Sequence, residues 1–187
     1  MASRVGERLG APASRERCYN ANMPKEVARS VPARATPDSL APRIGRVHHV
    51  AVVVRDLEAA VGRFAGTLGL TLETIQDIPS DRVRIAFLPT GESKLELVQP
   101  MDDSTGVARY LEKNGEGFHH VCYEVPDLAA ALAAQAAAGV ELIDAAPRRG
   151  AEGPVAFLHP RSFHGVLVEL IEAPGGPAWD ALSYERG

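Results

Sequence analysis

Polar and apolar positions alternate over residues 49–54, where Val50, Val52 and Val54 are interleaved with His49, Ala51 and Val53. Residues two apart share a face of a strand, so this run predicts a strand whose valine face packs inward and whose other face carries His49. The period changes after Asp56. Leu57, Ala60, Val61, Phe64 and Leu68 recur at helical spacing, which predicts a helix over Leu57–Leu68 with Asp56 as N-cap and Gly69 as its stop. Strands are expected next at residues 70–75, 83–88 and 94–98, with Thr90-Gly91-Glu92 turning between the last two.

The same order then repeats. Val47-His48-His49-Val50 runs into Asp56-Leu57, and Phe118-His119-His120-Val121 runs into Asp127-Leu128. The second copy predicts a strand at residues 120–125, a helix from Asp127 closing at Gly139, a short strand at 141–144, and strands at 155–158 and 166–171. Ala86-Phe87-Leu88 recurs as Ala156-Phe157-Leu158. Residues 104–114 read as a separate helix, capped by Ser104 or Thr105, before a Gly-rich link. This is an α+β pattern of two tandem βαβββ modules forming a cupped mixed sheet. The expected domain covers residues 45–173, with modules 45–100 and 117–173 and the linker helix 104–114, between a disordered leader 1–44 and a C-terminal tail 174–187.

Composition adds exclusions. With 45% hydrophobic and 24% charged residues, the 187-residue chain has a soluble globular composition. Its net charge of -4 gives no reason to expect nucleic acid or a membrane surface as partner. No apolar run approaches the roughly 20 residues that span a bilayer. Residues 1–46 hold eight Arg and one Lys against three Glu and one Asp. An Arg-rich transit peptide would place the protein in the mitochondrial matrix, but Glu7, Glu16 and Glu26 argue against that signature. A leader without an address, or a true start at Met23 or later, fits better, and the expected location is cytoplasmic. Cys18 and Cys122 lie in different contexts and suit a reducing compartment.

Sheet parity gathers the candidate chemistry. If the valine faces lie under the helices, His49, His120, Glu96 and Glu169 share the opposite, concave surface, one histidine and one glutamate from each module. Any one of them alone would pass as an ordinary strand residue. Together, two imidazoles and two carboxylates at equivalent repeat positions suit a divalent first-row ion with open coordination positions. Co²⁺, Mn²⁺, Ni²⁺ and Zn²⁺ all meet that description. His48 and His119 have the wrong parity and are read as structural. Cys122, on the concave face, is read as a small lining residue because no base is identified beside it.

Residues 46–172 resemble the vicinal-oxygen-chelate superfamily, and within it the methylmalonyl-CoA epimerases. The resemblance rests on His49-Val50-Ala51 with Asp56-Leu57-Glu58-Ala59-Ala60, Lys94-Leu95-Glu96-Leu97, Tyr110-Leu111-Glu112-Lys113-Asn114, Gly117 to Val125, Phe157-Leu158-His159-Pro160, and Gly165 to Leu170. It implies a metal-dependent epimerase that interconverts (2R)- and (2S)-methylmalonyl-CoA by C2 proton abstraction and reprotonation through a metal-stabilised enolate. It implies His49, Glu96, His120 and Glu169 as metal ligands, Glu169 and Glu96 as candidate acid/base groups, an acyl-CoA substrate and a homodimer. The chain departs from some relatives in having Arg84, and no carboxylate, within the strand at 83–88, and Glu96 where some carry glutamine. Arg84 is a candidate for attracting CoA phosphates, or an exposed strand residue. The loop Pro147 to Gly153 matches a family loop in its glycines, which serve a ligand approach or an ordinary hairpin. Two other activities fit the superfamily: a glyoxalase I-type lactoylglutathione lyase, and a metal-free ligand-binding module.

Overall fold

The computed structural model describes residues 44–173, so the expected leader and tail lie outside the described residues. The elements are β1 (Val47–Val53), α1 (Leu57–Leu68), β2 (Thr74–Ile78), β3 (Val83–Thr90), β4 (Ser93–Pro100), α2 (Gly106–Asn114), β5 (Gly117–Val125), α3 (Leu128–Ala137), β6 (Arg148–Arg149), β7 (Pro154–Leu158), a 3₁₀ turn at Pro160–Phe163, and β8 (Leu167–Glu172). They build one eight-stranded mixed sheet in the order β2-β3-β4-β1-β5-β8-β7-β6. β1 pairs with β4, and β5 with β8, in parallel, while the two modules join through the antiparallel β1–β5 ladder.

Both crossover helices start by the same device. Asp56 Oδ1 accepts from Ala59 N at 2.8 Å, and Asp127 Oδ1 accepts from Ala130 N at 2.8 Å. Each such cap stabilises its helix by about 1 kcal/mol. The next orphan donors are used to dock the helices on the sheet. Leu57 N donates to Gln99 Oε1 at the end of β4, and Leu128 N to Glu172 Oε2 at the end of β8.

The apolar faces divide as the alternation predicts. Between α1 and the sheet, Leu57 and Phe64 of the helix meet Val54, Ala86, Leu88 and Leu97, with Val52 and Leu95 packed against them. Between α3 and the sheet, Leu128, Ala131 and Leu132 of the helix meet Val125, Leu158, Val168 and Leu170, with Val121 and Tyr123 alongside. Each fully buried Leu contributes roughly 1.5–3 kcal/mol. The opposite face of module one holds Ala51, Ile85, Phe87 and Val98. That leaves the histidine-bearing face of each strand turned into the cup.

Two strands differ from the sequence pattern. β2 begins at Thr74 rather than at residue 70. Gly69, at φ 75°, closes α1 by donating to Ala65 O, and Leu70 N donates to Phe64 O, so Leu70 belongs to the helix end. Residues 141–144 form only an isolated bridge, Leu142 to Leu158. Ile143 N and Asp144 N both donate to Phe157 O, while Asp144 Oδ2 accepts from Phe157 N, an arrangement that uses the edge without a ladder. The edge strand of module two is Arg148–Arg149 instead.

Candidate metal centre

The four central strands each supply one side chain. His49 pairs with Lys94 across β1–β4 and His120 with Leu167 across β5–β8, so in each module the glutamate sits two residues beyond the histidine's partner. Two-residue offsets keep Glu96 and Glu169 on the histidine face. The four side chains meet. His49 Nε2 and His120 Nε2 are 3.1 Å apart. Glu169 Oε2 lies 3.0 Å from His49 Nε2 and 3.2 Å from His120 Nε2, and Glu96 Oε2 lies 3.4 and 3.5 Å from the same two atoms. All four residues are buried.

This cluster is costly to the fold unless something neutralises it. Two carboxyl groups are removed from water beside two imidazoles, and burial of unpaired charge is strongly unfavourable. Burial pushes the Glu96 carboxyl above its ordinary value, against the opposing pull of His49 and His120. Burial also acts to raise Glu169, but the close approach of the His120 and His49 rings outweighs it and holds that carboxyl well below the usual range. For His49, burial acts downward, yet Glu169 and Glu96 bring the net shift upward. Even so, Glu169 Oε2 is a buried oxygen without a hydrogen bond of acceptable geometry, despite its short distance to both rings.

Those features fit a divalent cation. At metal–ligand distances of about 2.1 Å, neighbouring ligands are about 3.0 Å apart in an octahedral site and about 3.4 Å apart in a tetrahedral one. The separations here, 3.0 to 3.5 Å, span that interval. The nitrogen and oxygen donors of His49, Glu96 and His120 also fall within 4.8 Å of one another. A second donor group, His48, His49 and Cys122, has the same spread. Burial pushes the Cys122 thiol strongly upward, which keeps it protonated and a poor ligand. Cys122 packs with Val155 and Ile171 in a layer of its own.

His48 and His119 are not bystanders. The β1–β5 register slips by one residue at His48 and again at His119, leaving each as the extra residue of a bulge. The slips bring His48 Nδ1 to 2.9 Å from His49 Nδ1, and His119 Nδ1 to 2.8 Å from His120 Nδ1. Burial and the adjacent His120 lower the His119 imidazole to about 4, and burial and His49 lower His48. Both rings are therefore neutral near pH 7. Parity alone places them on the helix side; the bulges overturn that expectation.

Above the cluster opens a cavity of about 480 Å³, reached by Glu96, His120 and Glu169 and walled by apolar residues such as Ile85, Val98 and Phe157. Asp81, on the β2–β3 turn, also lines it. Arg148 spans the modules to reach Asp81, donating to its two oxygens at 3.2 and 2.9 Å, and its Nε reaches Asp144 Oδ2 at 3.2 Å. The turn that presents Asp81 contains Arg82 in the left-handed region, at φ 52°. A non-glycine residue there stores strain of about 1–3 kcal/mol, a pattern that concentrates at functional sites. Asp81 has no strand periodicity to mark it in sequence. Arg84 lies elsewhere: its chain neighbours Val83 and Ile85 face the cup, and it pairs with Glu58 of α1 and with Asp77. In the loop 147–153, Gly150 N donates to Gly153 O across a hairpin, and a Cβ on Gly150 would stand 2.7 Å from Val155 Cγ1. Close packing of the hairpin explains that glycine.

An eight-stranded cupped sheet with paired modules and a central histidine–glutamate cluster defines the glyoxalase-like class. The profile of the Glyoxalase/Bleomycin resistance protein/Dioxygenase superfamily matches residues 48–158. The ethylmalonyl-CoA/methylmalonyl-CoA epimerase of Cereibacter sphaeroides is 44% identical over 68% of this chain and 97% of its own length. The mitochondrial methylmalonyl-CoA epimerase of Mus musculus is 37% identical over 70% of this chain and 75% of its own. The crystal structure of methylmalonyl-CoA epimerase from Mycobacterium tuberculosis superposes with a TM-score of 0.67 at 32% identity, over 70% of this chain and 90% of that one. A methylmalonyl-CoA epimerase in complex with methylmalonyl-CoA and NH4+ gives 0.68 at 33% identity, over 72% and 98%. The chain belongs to this superfamily, within its methylmalonyl-CoA epimerase family, and is an isomerase of the epimerase class.

Proposed function

We propose that the protein epimerises methylmalonyl-CoA at C2, interconverting the 2R and 2S forms, with His49, Glu96, His120 and Glu169 holding a divalent cation, Co²⁺ first among the candidates. The observation that carries the reading is the convergence of these four side chains at 3.0–3.5 Å beneath an apolar cavity, with Glu169 Oε2 buried and without a hydrogen bond. The substrate assignment is supported by the relatives above and by a Streptomyces coelicolor epimerase variant in complex with 2-nitronate-propionyl-CoA.

The chemical difficulty is loss of a C2 proton next to an existing carboxylate charge. When bound, the cation supplies Lewis-acid stabilisation of the negative charge that builds on the substrate's carboxylate and thioester oxygens. The chain supplies the rest. His120 reaches the cavity with His49 beside it in the cluster, Nε2 to Nε2, and Ile85, Val98 and Phe157 give the reacting carbon an apolar wall. Glu169 is assigned as the base on one face, with Glu96 beside it completing the ligand set. Inversion needs a second proton donor on the other face. Of the carboxylates lining the cavity, Asp81 is the one outside the cluster, and it takes this role, held in place by Arg148.

The test is solvent isotope exchange. In D₂O with added Co²⁺, the purified protein should convert one epimer of methylmalonyl-CoA to the other with deuterium entering at C2. Interconversion without solvent label, or label with no dependence on divalent cation, contradicts the reading.

A further inference from the structure

The sheet's two edge strands are β2 and β6, yet the chain around them meets. Arg148 of β6 donates through Nη1 to Asp81 Oδ2 at 2.9 Å, and Asp81 stands on the turn that follows β2. The contact bridges the cup instead of passing along the ladder. Two more contacts do the same. Ala151, farther along the loop, packs on the module-one cluster of Ala51, Val83, Ile85, Phe87 and Val98. Glu152 then pairs with Lys94 of β4. Residues 147–153 therefore belong to module two by chain and rest on module one by contact. Arg148, Gly150 and Ala151 share the lining of the cavity with Asp81, Glu96 and Glu169.

We propose that residues 147–153 are a strap over the cavity, fastened by the Arg148–Asp81 clasp, which opens to admit the substrate and on closing fixes Asp81 at the cavity wall. The proposal draws on the function given above only for what enters. Few backbone bonds tie the strap to its own module. β6 is a two-residue strand paired with Val155 and Pro154, and proline brings no N–H to a ladder. Segments held this thinly open locally while the rest of the fold stays formed. The arm of the clasp is built firmly on the module-two side. Asp144 Oδ2 accepts from Arg148 Nε at 3.2 Å and from Phe157 N at 2.8 Å, and the guanidinium lies 5.2 Å from the centre of the Phe157 ring. Arg148 is thus aimed before it meets Asp81, so the bond that yields on opening is the one between modules. The chemistry calls for such a device. A bulky thioester needs an open mouth, whereas a carbanion needs a site closed to water.

Backbone amide exchange of the metal-free protein, followed by NMR, tests the clasp without activity or ligand. The reporter is the Gly150 amide, which donates to Gly153 O across the strap. Arg148→Gln should speed its exchange by about fivefold, the upper end of what an exposed ion pair contributes. Asp81→Asn, a change in the other module, should have the same effect, and the double variant should exchange no faster than Arg148→Gln alone, since all three remove one contact. Amides of β5 should keep their wild-type rates. In the wild type, an equilibrium mixture of methylmalonyl-CoA epimers at about 100 times its dissociation constant should slow the Gly150 amide about tenfold or more. In Arg148→Gln that protection should be lost. Wild-type Gly150 exchange in both single variants overturns the strap, and so does faster exchange that extends equally through β5. Thioester that binds by calorimetry yet leaves the Gly150 amide unprotected overturns the gating role. If no thioester binds, the substrate reading fails separately, and the ligand-free variants still decide the clasp.

Discussion

Glu96→Gln should stabilise the metal-free fold and reduce the stability that a bound cation adds. In the metal-free protein the Glu96 carboxyl is buried and its proton affinity raised, so ionising it near pH 7 costs stability. A group whose folded pKa is raised contributes stability at low pH and loses it as pH rises through that value. The amide cannot ionise. The variant should therefore melt above the wild type at neutral pH without metal, and the gap should close as pH falls and the wild-type carboxyl takes up its proton. With metal the variant gains less than the wild type. At a free Co²⁺ concentration of about 100 times the wild-type dissociation constant, binding adds about 2.7 kcal/mol. For a chain of this size that is a melting shift of roughly 5–11 °C. A glutamine oxygen can still ligate but carries no charge, and a tenfold affinity loss removes about 1.4 kcal/mol. The variant's shift at the same concentration should then be roughly 3–6 °C. Differential scanning fluorimetry with and without Co²⁺, across pH, measures all three quantities. Equal metal-induced shifts in the two proteins, or a metal-free variant that melts lower, would refute the reasoning.

Other consequences are as open to test. Glu169→Gln should abolish C2 exchange with solvent while leaving the far-UV circular dichroism of the fold intact; retention of exchange would remove Glu169 as the base. Asp81→Asn should still wash solvent deuterium into one epimer but produce little of the other, so full epimerisation by the variant would exclude Asp81 from the second face. Gly150→Ala should destabilise by about 1–3 kcal/mol, because its Cβ would meet Val155 Cγ1 at 2.7 Å and Gly153 O at 3.0 Å; an unchanged urea midpoint would show that the hairpin yields.

Periodicity carried the architecture because strand parity and helix spacing are local properties. The alternation at residues 49–54, with the repeat at 120–125, was enough to place His49 and His120 on one surface, and parity alone added Glu96 and Glu169. What local pattern cannot show is an inserted residue in a ladder. His48 and His119 read as helix-side residues until the β1–β5 register slips at each of them. The edge of module two misled for a related reason: Leu142 and Ile143 look like strand residues, yet Phe157 O accepts two donors there and the ladder forms at Arg148 instead. Asp81 and Glu152 sit on turns, where side-chain direction follows from tertiary placement. Arg84 was legible in identity but not in orientation, since its role depends on which face of β3 meets α1.

The central claim is that His49, Glu96, His120 and Glu169 hold one divalent cation. A crystal structure of the Co²⁺-loaded protein, with anomalous scattering collected at the cobalt edge, addresses it without reference to activity. The account predicts a single strong peak within about 2.0–2.3 Å of His49 Nε2, His120 Nε2 and an oxygen of each glutamate. A peak on His48 and Cys122, or no peak at saturating Co²⁺, would contradict it.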